Sequence, residues 1–266
     1  MFRLREAGLH HRGIAVPHLF APAAELLLDA IEAPPGGGSA LCLEPGGPVL
    51  FRAAALHPSL RETRLVLAGS EHDATRQGAL AMPGNWLLTD PWFLPVRTQS
   101  CDLVLANLLL GDAEMDAALL REFQRVLRPG GQLVATVLLA GTFEEFFDLT
   151  QEYCENQGLV EGRAALSDER SNLYRPPALQ RSLETRGFEA VRLGIENRAA
   201  PFGNGFEFIE DPVVRNVFLA DWMRTLSDPR LRQSTLAGVA QFIDTYFAGI
   251  GFTARLVTGV ITGRRR

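Results

Sequence analysis

Residues 90–131 read DPWFLPVRTQSCDLVLANLLLGDAEMDAALLREFQRVLRPGG, and they are the most informative part of the chain. The acidic residue Asp90 follows one apolar run, and a Leu-Pro turn comes next. Asp102 lies at the beginning of the next apolar run. A helical pattern and a Pro-Gly-Gly turn complete the stretch. Strands and helices that alternate in this order are typical of a parallel sheet with helices on both faces.

The same alternation continues on both sides of this stretch. Five apolar runs bounded by turn residues are predicted to be parallel strands: 40–43, 65–68, 86–88, 103–110 and 132–139. Helical patterns cover 17–33, 49–56 and 114–127, and two later runs, 188–195 and 252–262, are predicted to be further strands. The sequence therefore predicts an α/β fold with a doubly wound sheet.

The composition limits the possible functions. A chain of 266 residues that is 47% hydrophobic and 21% charged can bury a sizeable core. Its net charge of −5 argues against nucleic acid as a partner, because binding to a phosphate backbone needs a concentrated positive surface. All 26 basic residues are arginine, so Schiff-base chemistry and a P-loop lysine are excluded.

Cysteine content and hydropathy predict a reduced, soluble protein. Cys42, Cys101 and Cys154 are far apart and lie in apolar surroundings, so we expect neither a disulfide framework nor a metal site. No apolar run reaches membrane-spanning length, and the N-terminus lacks a signal-peptide core. We therefore expect a cytoplasmic protein that binds neither a metal nor a membrane.

The acidic residue, the Leu-Pro-Val and Ser-Cys-Asp segments and the Pro-Gly-Gly turn together resemble the second half of a class I S-adenosylmethionine-dependent methyltransferase. The resemblance implies a Rossmann-like sheet of seven strands, parallel except for an antiparallel C-terminal strand. It also implies a single methyltransferase-like domain, in which two helical inserts form a substrate lid or a partner surface. The implied divisions are an N-terminal helical segment, 1–35, a cofactor-side core, 36–140, and the inserts, 141–180 and 197–249.

The resemblance implies S-adenosylmethionine as the cofactor and indicates which residues bind it. In EPGGPVL, residues 44–50, Glu44 takes the acidic place that precedes the family's glycines, and Gly46 takes the first glycine. Asp90 takes the place of the acid that holds the adenine amino group, and Asn107 lies near the position that faces substrate. The complete set implied for cofactor binding is Glu44, Gly46, Gly47, Asp90, Pro91, Trp92 and Asn107.

Several positions depart from the family's pattern. Pro48 and Leu50 stand where the second and third glycines belong. Proline removes an N–H donor, and Leu50 adds a side chain where backbone and cofactor normally touch. Gly69 stands where an acid is expected to bind the ribose, with Glu71 and Asp73 just beyond it as substitutes if the loop is displaced. The alternative interpretation of EPGGP is a plain strand-to-helix turn.

The C-terminal half resembles methyltransferases of the malonyl-acyl-carrier-protein type, through GTFEEFFDL after the fifth strand and VTGVITGRR at the end. In that subfamily an arginine binds a carboxylate, and Arg175 and Arg198 are the candidates here. Trp92 and Phe93 are interpreted either as walls of the adenine pocket or as ordinary core residues. No general base is evident near Asn107, so no catalytic residue is assigned.

Two functions follow from these observations. The first is an active methyltransferase that methylates a small or carrier-bound acid or alcohol. The alternative is a catalytically inactive pseudo-methyltransferase that serves as a binding or regulatory partner of another protein. A nicotinamide-dependent oxidoreductase is disfavoured, because no Gly-x-Gly-x-x-Gly pattern follows the first strand.

Overall fold

Seven strands form one sheet in the computed structural model, which describes residues 20–32, 38–44, 49–61, 63–69, 85–88, 93–110, 115–211, 214–215, 219 and 229–266. The strands are β1 (Ser39–Leu43), β2 (Arg64–Gly69), β3 (Asn85–Leu88), β4 (Cys101–Leu110), β5 (Leu127–Leu138), β6 (Phe188–Phe202) and β7 (Phe252–Arg265). They lie in the order β3-β2-β1-β4-β5-β7-β6. The pairs β2–β3, β1–β2, β1–β4 and β4–β5 are parallel, which confirms the predicted doubly wound fold.

The last strand runs antiparallel to both of its neighbours. Arg266, just after β7, donates its backbone N–H to the carbonyl of Gly187, just before β6, over 3.1 Å. The Arg265 side chain donates to the carbonyl of Leu127, the residue at which β5 begins. The end of β7 therefore lies beside the beginnings of β5 and β6, as expected for antiparallel pairing.

Helices separate most of these strands. They are α1 (Phe20–Asp29), α2 (Val49–Leu56), α3 (Met115–Val126), α4 (Glu144–Asn156), α5 (Val160–Asn172), α6 (Pro176–Thr185), α7 (Gly205–Glu210) and α8 (Pro229–Tyr246), with a 3-10 turn at Pro58–Leu60. None of the helices in the described part of the chain is long and apolar enough to cross a membrane.

The described residues fall into two units. The first draws on Met1–Val137, Tyr174–Ile195 and Thr258–Arg266, and the second on Leu138–Leu173 and Glu196–Val257. The second unit thus takes in the whole range of the second predicted insert, 197–249. The division of the chain into a cofactor-side core and two inserts stays a prediction.

The core of the first unit packs α1 and α2 against one face of the sheet. Its sheet side is built from alternate residues of three adjacent strands, and its helix side from the apolar faces of the two helices. The buried cluster comprises Ala40, Cys42, Leu103, Leu105 and Val134 from the strands, Ala24, Leu27, Leu28, Leu50 and Ala54 from the helices, and Leu60 from the 3-10 turn. Burial of each leucine side chain contributes about 1.5–3 kcal/mol.

The second unit has an aromatic core around Phe208 of α7. Its ring meets those of Phe143, Phe202 and Phe252 edge to face, with centroid distances of 5.2, 5.1 and 5.0 Å. Edge-to-face pairs at such distances are favourable beyond the area that they bury. The α7 and α8 helices pack closely, and the backbone N–H of Gly205 donates to Asp244 Oδ1 over 2.6 Å.

The strands β6 and β5 extend furthest beyond their predicted runs. β6 continues past residue 195 to Phe202, so the helices of the second insert begin only at Gly205. β5 begins at Leu127, because the Arg-Pro-Gly-Gly segment that reads as a turn already belongs to the strand. Apolar periodicity misses both extensions, since their residues are largely polar or exposed.

Candidate functional site

The apolar rows on one face of the sheet end in polar residues at the carboxyl ends of three strands. Alternate residues share a face, so Cys42, Leu105 and Val134 are followed on the same face by Glu44, Asn107 and Thr136. The strand register pairs Cys42 with Leu105 and Leu105 with Val134. The three polar side chains therefore lie side by side above the apolar core.

Hydrogen bonds join these three side chains to the beginning of α2. Glu44 Oε1 accepts the backbone N–H of Leu50 over 2.8 Å, and Glu44 Oε2 accepts Asn107 Nδ2 over 3.4 Å. Asn107 Oδ1 in turn accepts the Thr136 hydroxyl over 2.7 Å. Thr136 Oγ1 accepts the backbone N–H of Leu108 over 3.0 Å. We call Glu44, Asn107 and Thr136 the polar triad.

All three triad side chains are buried; Glu44 is 2% exposed and the other two are fully enclosed. A buried carboxylate is costly unless hydrogen bonds and a favourable field stabilise it. Both are present here, because the partial positive charge of a helix N-terminus lies where Leu50 donates its N–H. Burial, followed by the charge of Glu44, raises the pKa of the Cys42 thiol, so Cys42 remains a neutral core residue.

Leu108, next to the triad, has a left-handed backbone conformation. Its φ is 51°, and its side chain is only 1% exposed. A buried leucine rarely adopts this conformation, and strain of this kind concentrates at functional sites. The register between β4 and β5 shifts at the same place, between Ala106 and Leu110. The local irregularity allows the Leu108 N–H to reach the Thr136 hydroxyl instead of a ladder carbonyl.

A second group of hydrogen bonds fixes the Leu-Pro-Val segment to α3. The backbone N–H of Leu94 donates to Glu122 Oε2 over 3.2 Å. Arg125 donates to the carbonyls of Leu94 and Val96 over 2.8 and 2.7 Å. The hydrogen bond from Arg125 lowers the pKa of Glu122 despite partial burial, which keeps this pair ionised. The segment that precedes β4 is therefore clamped by one helix.

Asp102 lies at the opposite, amino end of β4. Its Oδ2 accepts the backbone N–H of Ser39 over 2.8 Å, and it pairs with Arg128 at 2.5 Å. The aspartate thus ties the beginning of β1 to β4 and to the first residues of β5. Its role is to hold the strands together, away from the polar triad.

Comparison with known proteins identifies the fold. A candidate methyltransferase from Bacillus halodurans C-125 superposes with a TM-score of 0.53 at 15% identity, over 91% of this chain and 98% of that one. The YcgJ protein from Bacillus subtilis gives 0.50 at 13% identity, over 92% and 98%. Residues 66–135 match the family model of a methyltransferase domain. This chain has the class I methyltransferase fold.

One curated methyltransferase is similar to part of this chain in sequence. A malonyl-[acyl-carrier protein] O-methyltransferase from Hahella chejuensis is 38% identical over 68 residues. The aligned stretch spans 26% of this chain and 23% of the relative. The likeness therefore concerns about a quarter of each protein.

Of the implied cofactor-binding residues, the structure brings Glu44 and Asn107 together in the polar triad. The others, Gly46, Gly47, Asp90, Pro91 and Trp92, lie outside the described residues, as do Pro48, Glu71 and Asp73. Of the two candidate arginines, Arg198 is paired with Glu196 at 3.5 Å, and Arg175 lies directly before α6. Thr136 was not predicted, although its position two residues after buried Val134 is the signal that could have found it.

Two residues differ from their expected environments. Leu50 was expected to add a side chain where the cofactor touches the methyltransferase backbone, and this is wrong. Its side chain is fully buried and belongs to the core cluster beneath α2. Phe93 is 79% exposed, so ordinary core packing does not explain it. At the end of β2, Gly69 pairs with Leu88 and supplies no carboxylate.

Proposed function

We propose that this chain binds S-adenosylmethionine beside the polar triad and transfers its methyl group to a small or carrier-bound acid or alcohol. The observation that carries the proposal is the buried carboxylate of Glu44 at the N-terminus of α2. It lies after the first strand of a class I methyltransferase fold, where that fold is expected to bind its cofactor.

The charge of Glu44 favours this ligand over a dinucleotide. Rossmann-type dinucleotide sites place a pyrophosphate at the first helix N-terminus, where free N–H groups and the helix dipole attract it. Here the protein's own carboxylate accepts the Leu50 N–H at that place. A phosphate beside it would meet a like charge at low dielectric. A ligand with an ammonium group and a sulfonium is matched in sign.

The residues implied for cofactor binding would divide between the two ends of this ligand. Glu44 and Asn107, with Gly46 and Gly47 between β1 and α2, would surround its amino-acid portion. Asp90, Pro91 and Trp92 would hold the adenine, next to the exposed ring of Phe93. Because the Leu50 side chain is buried in the core, it would not compete with the cofactor for space.

Methyl transfer requires little from the protein beyond positioning of the cofactor and the nucleophile. When bound, S-adenosylmethionine supplies a methyl group on a positively charged sulfur. The buried triad keeps Asn107 in one orientation. In-line placement of an acidic nucleophile supplies much of the rate, so a general base is not required.

The likeness to a malonyl-[acyl-carrier protein] O-methyltransferase supports an acid, free or carrier-bound, as the substrate. The alternative, an inactive pseudo-methyltransferase with a protein partner, is favoured by Gly69, because the end of β2 offers no carboxylate to the ribose hydroxyls. Binding of the cofactor separates the two.

The first test is isothermal titration of the protein with S-adenosylmethionine and S-adenosylhomocysteine, with NADH as the control ligand. We expect S-adenosylmethionine and S-adenosylhomocysteine to bind and NADH to give no heat. Glu44→Gln should weaken binding by about tenfold or more, since the amide turns a donor toward either Leu50 or Asn107. The matched control is Glu152→Gln, an exposed site on α4.

The absence of heat with folded wild-type protein at high micromolar concentration would refute the proposal in favour of the alternative. If the cofactor binds, transfer of a labelled methyl group to free malonate, its thioester and its carrier-bound form tests the substrate class. Binding without transfer to any acid or alcohol would also support the inactive alternative.

A further inference from the structure

We propose that Thr136 is a positioning residue for the cofactor, acting through Asn107 and Glu44 on the beginning of α2. This inference rests on the proposed function. Thr136 lies within β5, two positions from its end, and its side chain is fully buried. The hydrogen bonds of Thr136 described above join it to Asn107 and Leu108 rather than to α2. An effect of Thr136 on α2 therefore passes through the other triad residues.

The hydroxyl of Thr136 decides which way the Asn107 amide faces. Because the Leu108 N–H already donates to Thr136 Oγ1, the single hydroxyl hydrogen is available to donate elsewhere. It donates to Asn107 Oδ1 over 2.7 Å. The Asn107 NH₂ group is thereby directed toward Glu44 Oε2. The hydroxyl thus favours the orientation in which Asn107 turns a donor toward the buried carboxylate.

Glu44 passes this constraint to α2. Its second carboxylate oxygen accepts the Leu50 N–H over 2.8 Å, in the first turn of the helix. If the amide of Asn107 turned over, its oxygen would face Glu44, and the two acceptors would repel each other. The carboxylate would then shift, and the first turn of α2 would lose its fixed partner. That turn directly follows the loop that is proposed to hold the cofactor.

The test compares Thr136→Val, which keeps the shape and removes the hydroxyl, with Thr136→Ser, which keeps the hydroxyl. Hydrogen exchange of peptides covering Val49–Leu56 is measured without ligand, and S-adenosylhomocysteine affinity is measured by titration. For Thr136→Val we expect exchange about tenfold faster and binding about tenfold weaker, as loss of a buried hydrogen bond predicts. Thr136→Ser should remain within about twofold of wild type in both.

The control is Thr150→Val, the same substitution at a fully buried threonine of α4. Within the described part of the chain, the Thr150 hydroxyl has no hydrogen-bond partner. Thr150→Val should leave the hydrogen exchange of α2 unchanged. Equal exchange in Thr136→Val and wild type, or equal loss in the valine and serine variants, would overturn the inference. If the wild type binds no S-adenosylhomocysteine, the proposed function fails, while the exchange measurement still decides the role of Thr136.

Discussion

Leu50 is the residue at which the sequence pattern and the three-dimensional environment differ most. The family pattern has a glycine there, and a leucine is expected to obstruct the cofactor. The structure instead gives this side chain a core environment with Leu27, Leu28 and Leu105. Only its backbone N–H faces the polar triad, through Glu44. The backbone N–H of Leu50 thus binds Glu44, and its side chain packs in the core.

Restoring the family's glycine should therefore harm the protein. We expect Leu50→Gly to lower the free energy of unfolding by about 2–5 kcal/mol for the lost leucine and about 1 kcal/mol more for glycine within a helix. It should not increase S-adenosylmethionine affinity. Urea unfolding and titration measure the two effects, and Leu50→Ala separates the loss of side chain from the glycine effect. Tighter binding by the glycine variant would contradict the core assignment.

Asp102 gives a prediction about acid stability. Burial raises its pKa, but the hydrogen bonds from Arg128 and from the Ser39 N–H outweigh burial, so the pKa is lowered on folding. A lowered pKa stabilises the fold above the unfolded value of about 3.9 and loses that contribution as the pH falls through the folded value. Asp102→Asn should therefore destabilise the protein at pH 7 and have less effect near pH 3. A difference in unfolding free energy that stays constant with pH would contradict this prediction.

Among the elements, α3 holds the Leu-Pro-Val segment through Arg125 and Glu122. Arg125 reaches the carbonyls of Leu94 and Val96 while it also pairs with Glu122. A planar guanidinium, with its N–H donors in a fixed fork, suits several separated acceptors better than the compact ammonium of lysine. Arg125→Lys should accelerate hydrogen exchange in residues 93–98, whereas Arg121→Lys, at an exposed position of the same helix, should not. Equal exchange in both variants would show that the segment is held by other contacts.

The packing of α8 depends on a glycine. A Cβ atom at Gly238 would overlap the hydroxyl of Tyr153, which belongs to α4. We expect Gly238→Ala to destabilise the protein by about 1–3 kcal/mol, as overpacking of a close helix pair does. Thermal unfolding measures the effect. Adding Tyr153→Phe should recover part of the loss, because it removes the atom that the new Cβ meets first; strict additivity of the two changes would contradict the contact.

At the scale of the whole molecule, the sequence predicts the fold better than the site. Apolar runs locate every strand of the described sheet, and for the central strands β1, β4 and β5 they do so because burial on both faces requires apolar residues. The added length of β6 and β5 was missed, since its residues are largely polar or exposed and carry no apolar periodicity. Strand pairing between distant segments has no local signal.

The site was predicted in part for the same reason. Glu44 stands out as a polar residue directly after the first strand and Asn107 as one within the fourth, and the family pattern points to both. Thr136 does not, because VATVLL reads as uninterrupted strand core. Only the register of β4 against β5 places its hydroxyl beside Asn107. The direction of the Leu50 side chain likewise depends on how α2 packs, which no motif records.

The buried Leu50 has a consequence for how genomes are searched. Glycine patterns score a position by residue identity. This chain would score poorly at Leu50, although the backbone N–H of Leu50 still donates to Glu44. At this position a side chain is compatible with the fold because it points into the core. Searches that weight side-chain direction, rather than glycine count, should recover methyltransferase-like chains that motif counts discard.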